Sequence, residues 1–154
     1  MSWTLPKPVD TRALGSSVGM LLRAGDLVVL TGPLGAGKTV FVQGIGDAMG
    51  VVGEVTSPTF VIARVHRRRD GGPPLVHVDA YRLGSVAEVD DLDLDADTEE
   101  SVVVVEWGGG LVEQLADAWL EVRLDRADDD VRTAELVGHG GDWPARLAAL
   151  GASG

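Results

Sequence analysis

The segment Gly32-Pro33-Leu34-Gly35-Ala36-Gly37-Lys38-Thr39 constrains this chain more than any other, because it dictates a strand, a tight loop and a helix in that order. Its spacing is G-x-x-x-x-G-K-[ST], the Walker A pattern. Upstream, Asp26 to Thr31 is short and β-branched and reads as a buried strand feeding a loop. Downstream, Lys38 to Met49 places Val40, Phe41, Ile45 and Met49 near one helical face. Glycines in such a loop let backbone N–H groups turn inward around an anion, and the helix adds the positive end of its dipole. Lys38 then neutralises β- and γ-phosphate charge, and Thr39 offers a hydroxyl oxygen to magnesium, a hard cation that prefers oxygen ligands. The expected nucleotide-binding set is Gly35, Ala36, Gly37, Lys38, Thr39 and Val40, with ATP and magnesium as the expected cofactors.

Around this motif the pattern alternates helix and strand. Thr11 to Arg23 carries Leu14, Val18, Leu21 and Leu22 at helical spacing, with Asp10 or Thr11 as N-cap and Gly25 as the stop. Thr59 to His66, the turn Asp70-Gly71-Gly72-Pro73-Pro74 and Leu75 to Val78 read as an antiparallel hairpin. Ser101 to Glu106 holds four consecutive valines, as in a strand covered on both faces near the middle of a sheet. Trp119 to Leu124 and Val131 to Val137 flank Asp128-Asp129-Asp130 as a second hairpin, and Trp143 to Leu150 reads as a terminal helix. The acidic stretch Ser85 to Glu100 reads as a short helix and a mobile loop. The expected fold is α/β, a P-loop NTPase fold with a mixed parallel and antiparallel central sheet flanked by helices, in one domain over residues 1–154.

A formal charge of -11 argues against non-specific nucleic-acid binding, which depends on Lys and Arg displacing counterions from phosphates. The exception is the basic run Arg64, His66, Arg67, Arg68 and Arg69, which reads either as a solvated loop beside the hairpin turn or as a dock for an anionic partner. The absence of cysteine excludes disulfides and thiolate metal sites, and His66, His77 and His139 show no ligand spacing. No apolar run spans a bilayer and the first residues do not resemble a signal peptide, so a cytoplasmic protein without membrane contact is expected.

An NTPase of this kind needs an acid at the end of an apolar strand beside the loop, to hold magnesium directly or through water. Asp79 follows Leu75-Val76-His77-Val78, and Glu106 follows the valines, so both are candidates. Either acid can instead cap a loop or pair with Arg82. Thr56-Ser57-Pro58-Thr59-Phe60 reads as a switch that senses the γ-phosphate or as a plain Ser-Pro turn. Trp107 can pack on the loop, stack on a ligand, meet a partner or fill the core.

Taken together, Gly-Pro-Leu-Gly-Ala-Gly-Lys-Thr at 32–39, Thr-Ser-Pro-Thr-Phe at 56–60, His-Val-Asp-Ala-Tyr-Arg-Leu at 77–83 and Glu106-Trp107 resemble the bacterial TsaE family, also called YjeE. The resemblance runs in family order over roughly Thr11 to Trp107. It implies an ATPase supporting threonylcarbamoyladenosine modification of transfer RNA. Thr39 and Glu106 are then in the magnesium sphere, Asp79 acts on magnesium or the attacking water, and Lys38 holds phosphates. It further implies that the segment around Thr11, similar to the family's Thr-x-x-Leu-Gly, closes over the base, and that Trp107 matters to activity. The implied partners are TsaD and TsaB homologues, with tRNA engaged only indirectly; the carbamoyl transfer chemistry belongs to TsaD. Pro33 and Gly108-Gly109 depart from the family pattern without removing a proposed ligand.

The expected chemistry is in-line attack of water on the γ-phosphoryl group, slow in isolation because the sequence positions no obvious arginine finger; Arg82 is the nearest candidate. Two rivals remain. A small-molecule kinase needs an arginine-bearing lid, which only the Arg64 to Arg69 run imitates, yet that run precedes a hairpin strand instead of joining helices. A non-enzymatic nucleotide adaptor would be indifferent to Asp79→Ala or Glu106→Ala.

Overall fold

Val102 to Val105 has no polar position, so a strand built from it must be covered on both faces, and all four side chains are buried. The computed structural model describes residues 2–32, 37–53, 63–79, 101–106, 118–126 and 131–153. Its elements are β1 (Ser2–Leu5), α1 (Pro8–Gly19), β2 (Leu27–Thr31), α2 (Lys38–Met49), β3 (Ala63–His66), β4 (Leu75–Asp79), β5 (Val102–Glu106), β6 (Trp119–Arg126), β7 (Arg132–His139) and α3 (Trp143–Ser153). The described strands form one sheet in the order β1-β7-β6-β2-β5-β4-β3. Strands β6, β2, β5 and β4 run parallel, whereas β3 on β4, β7 on β6 and β1 on β7 are antiparallel. This is the mixed α/β sheet expected, with the valine strand internal.

One sheet face carries the described helices. Val28, Leu30, Val104, Leu120, Val122 and Leu136 join Leu14 and Val18 of α1, Phe41 and Ile45 of α2, and Trp143 and Leu147 of α3 in a single apolar cluster. Burying Phe41 or Ile45 completely contributes about 1.5–3 kcal/mol each. The opposite face is apolar along β2, β4 and β5, where Val29, Val78 and Val105 are buried. Along β6 it turns polar, so that strand alternates buried Leu120, Val122 and Leu124 with Glu121 and Arg123.

Helices α1 and α2 approach so closely that no side chain fits at the crossing. A Cβ on Gly15 would lie 2.1 Å from the Phe41 carbonyl oxygen, and one on Gly44 would lie 2.0 Å from that of Arg12. Arg12 then clamps the pair from outside with two hydrogen bonds to the Asp47 carboxylate, at 2.6 and 3.0 Å.

Helix α1 differs from its expected bounds. It begins at Pro8, whose fixed φ and missing N–H suit a first helical position, and Asp10 accepts a hydrogen bond from the Lys7 N–H at 2.9 Å. Thus Lys7, not Asp10 or Thr11, is the cap, and Thr11 is released to face inward. The helix stops at Gly19 instead of running to Arg23, with Met20 and Leu21 bonded back to Ser16 and Val18 in a closing turn. Strand β1 was not expected at all. The first hairpin forms as expected from β3 and β4, with the basic run at its turn; Val52 N–H donates to the Arg67 carbonyl and Arg69 N–H to that of Gly50, tying the hairpin to the end of α2. The run does not join helices, so it lacks the placement of a kinase lid. The segment Ser85 to Glu100 lies outside the described residues. Among the described residues, no helix is long and apolar enough to cross a membrane.

Candidate functional site

Gly37 decides how the glycine-rich loop meets its helix. It is the N-cap of α2 with φ 99°, a backbone that L side chains rarely adopt. A Cβ there would also come within 3.3 Å of Thr11 Cγ2 on one side and of Arg132 Cδ on the other. The turn aims the amino end of α2 at the carboxyl end of β2. Lys38, only 8% exposed, reaches back to donate from Nζ to the Gly32 carbonyl at 2.7 Å, spanning the two ends of the loop. A helix start presents N–H groups that the helix itself does not use, and its dipole favours negative charge. With the Lys38 ammonium beside it, this end of an acidic chain is built to receive an anion. Thr39 and Val40 sit half-buried in the same first turn.

The sheet register brings the acids to this end. Glu106 lies opposite Leu30 of β2 on one side and opposite Asp79 of β4 on the other. Neighbouring strands are spaced by about 4.8 Å, so Glu106 is one strand spacing from the loop-bearing strand and Asp79 two, about 10 Å. Glu106 is therefore the acid nearer the loop. Its side chain is buried, on the face that packs against α2, with His77 Nε2 3.6 Å from its Oε1. For Asp79 the backbone position is described, and it shares the carboxyl edge with Glu106.

Two buried polar groups here lack hydrogen-bond partners among the described residues. Thr11 is wholly buried and its Oγ1 is unsatisfied, next to Gly37; both ring nitrogens of His77 are likewise unsatisfied, next to Glu106. Such groups cost about 1–3 kcal/mol each, and they concentrate where a ligand or ion supplies the missing partner. A hydroxyl beside the loop and a carboxylate at the adjoining strand fit a nucleotide with its magnesium ion. Among the described residues no three His, Cys, Asp or Glu form a metal-holding cluster. That is compatible with magnesium, which takes one or two carboxylates with phosphates and waters, not an all-protein cage.

Arg132 is the residue that sequence reading missed. It opens β7, far from the motif in the chain, yet its Nε lies 3.5 Å from the Cβ position of Gly37. Nothing local marks it; only the return of the β6–β7 hairpin carries it there. Of the expected residues, Thr11, Gly37, Lys38, Thr39 and Val40 gather at the start of α2, and Glu106 and Asp79 at the strand ends beside it. Gly35, Ala36, Trp107, Arg82 and the Thr56 to Phe60 segment lie outside the described residues. A groove of about 450 Å3 lined by Val65, Val76, Pro73, Pro74 and Ser101 has no ionisable lining residue, so it offers nothing to a triphosphate.

A sequence model of the family described as threonylcarbamoyl adenosine biosynthesis protein TsaE matches residues 5–134. The tRNA threonylcarbamoyladenosine biosynthesis protein TsaE of Streptomyces coelicolor is 56% identical over 137 residues, covering 86% of this chain and 93% of that protein. The protein of the same name from Bacillus subtilis is 37% identical over 133 residues, covering 86% and 82%. The crystal structure of Bacillus subtilis YdiB is similar to the whole fold, with a TM-score of 0.77 and 30% identity over 99% of this chain and 95% of that one.

Proposed function

The chain belongs to the TsaE family of threonylcarbamoyladenosine biosynthesis proteins, and on that premise we propose that it binds and hydrolyses ATP to support N6-threonylcarbamoyladenosine modification of tRNA. Its proposed partners are TsaD and TsaB homologues in the cytoplasm, with tRNA met only through that complex. The observation that carries the reading is the convergence of Lys38, at the mouth of a helix-capping glycine loop, with Glu106 on the strand next to β2.

In this reading the α2 amino end and Lys38 hold the β- and γ-phosphates, and Arg132 adds a second positive charge beside Gly37. Thr39 and Glu106 would hold magnesium, which would supply positive charge to offset the charge developing on the phosphate oxygens. Glu106 takes the direct role because it is the nearer acid, and Asp79, one strand further out, orients the attacking water. Thr11 covers the bound nucleotide and gives its orphaned hydroxyl a partner. Each of these groups is held by helix or strand, so little reorganisation is needed as the terminal P–O bond breaks.

The test is phosphate release by the purified chain with magnesium, alone and with TsaD and TsaB homologues, together with modified-nucleoside content of tRNA. Lys38→Ala and Glu106→Gln should each lower release by at least about 100-fold, the scale of one lost electrostatic contact in a preorganised site. Hydrolysis that survives both substitutions, or a chain that leaves tRNA modification unchanged when omitted, would defeat the proposal.

A further inference from the structure

Building on the nucleotide reading, we propose that His77 is a positioning residue that fixes the Glu106 carboxylate for magnesium. His77 is 0% exposed, and neither ring nitrogen has a hydrogen-bond partner among the described residues. It stands on β4 opposite Val104, among Leu75, Val102 and Val104 of the apolar face. An aliphatic side chain would suit those neighbours better, so packing does not explain an imidazole there.

The register supplies a reason. Asp79 is opposite Glu106, so His77, two residues earlier on β4, is the diagonal neighbour of Glu106 on the same face, within reach of a long side chain. Nε2 lies 3.6 Å from Glu106 Oε1, just beyond hydrogen-bonding distance. Closing that gap by less than about 1 Å gives a charge-assisted N–H···O bond of ordinary length. With its proton on Nε2, the ring donates to one carboxylate oxygen and leaves the other oriented for the cation. Low polarity around the ring strengthens such a bond. Outer groups of this type fix the orientation of metal ligands, and losing them lowers metal affinity by about 10–100-fold. Asp79 lies two residues further along β4, so the same strand carries both an acid at the edge and the donor that positions the carboxylate of the neighbouring strand.

The comparison that isolates the donor is His77→Gln against His77→Met, two side chains of similar length and shape of which only Gln carries an N–H. Manganese, as a paramagnetic stand-in for magnesium, is titrated into each protein in the presence of ADP and followed by electron paramagnetic resonance. His77→Met should bind manganese about 10-fold or more weakly than His77→Gln, while ADP affinity in EDTA differs less than about 2-fold between them. The His77→Met melting temperature should equal or exceed that of the wild type, because two unsatisfied polar atoms are gone. Equal manganese affinity in the two variants overturns the proposal, and so does a Met variant that unfolds while the Gln variant does not. Glu106→Gln separates the two levels of the argument. If it loses manganese binding while the His77 pair is equal, only the positioning role fails; if it binds manganese like the wild type, the reading of Glu106 as a ligand fails with it.

Discussion

Replacing Gly44 by alanine sets two effects of opposite sign against each other. In an exposed helix, Gly→Ala stabilises by about 1 kcal/mol, because alanine loses less backbone freedom on folding. In α2 the new Cβ would meet the Arg12 carbonyl oxygen at 2.0 Å and the Ser16 nitrogen at 2.8 Å, both backbone atoms of a rigid helix that cannot turn aside. The helices must part by about 1 Å to reach the 3.0 Å floor of real Cβ contacts. A gap of that size forfeits a quarter to a half of each dispersion contact across the interface, and overpacking a close contact of this kind costs up to about 3 kcal/mol. The clash wins by about 2 kcal/mol, which for a chain of this size lowers the melting temperature by about 4–8 °C. Gly15→Ala, with its Cβ 2.1 Å from the Phe41 carbonyl oxygen, should act alike, and the double variant should cost less than the sum because one separation relieves both contacts. Scanning calorimetry of the two single variants and the double variant measures all three quantities. A Gly44→Ala protein that melts at or above the wild-type temperature would refute the close-packed crossing.

Thr11→Val keeps the volume of a buried side chain but removes its unpartnered hydroxyl, so stability should hold or rise while ADP affinity, read by calorimetric titration, falls about 5–10-fold for one lost hydrogen bond. Asp47→Asn should cost about 0.5 kcal/mol at neutral pH, since the pair with Arg12 is half exposed and screened. The hydrogen bond from Arg12 holds the Asp47 carboxyl below the usual carboxylate range; burial opposes it, and the Arg12 charge adds a further lowering effect. Its contribution is therefore full above the ordinary aspartate range and lost as pH falls from there through the lower folded value; denaturant melts of both proteins should converge in acid and in high salt. Arg146→Met removes one partner of a largely buried pair with Asp26, together with a bond to the Leu21 carbonyl and a cation–π contact 4.0 Å over Trp143. A loss of about 3 kcal/mol is expected, seen as a drop of about 6–12 °C in melting temperature, and Arg146→Lys should not restore it because the pairing is two-pronged.

What the amino-acid order settled by itself was local. The loop motif and the glycine after Met49 mark both ends of α2, because a left-handed backbone at Gly37 and Gly50 is available to few other residues. Four successive valines announce an internal strand, and the first hairpin carries its own turn chemistry in residues 70–74. These signals live within a few residues of what they specify. The expected bounds of α1 differ because Pro8 opens the helix and Asp10 accepts from the Lys7 N–H, signals as local as the others but weaker than the apolar period beginning at Leu14.

Tertiary pairing decided the rest. Strand β1 is four residues at a sheet edge and exists only because β7 offers it hydrogen bonds, so its own composition says little. The placement of Glu106 next to β2, with Asp79 one strand beyond, is a fact of strand order, and both acids end equally convincing apolar runs in the sequence. Thr11 and Arg132 reach Gly37 from opposite parts of the chain, through a glycine crossing of two helices and the return of a hairpin. Short-range conformational preference is written in neighbouring residues, whereas proximity across strands depends on which register buries the most apolar surface at once, and that is a property of the whole packed chain.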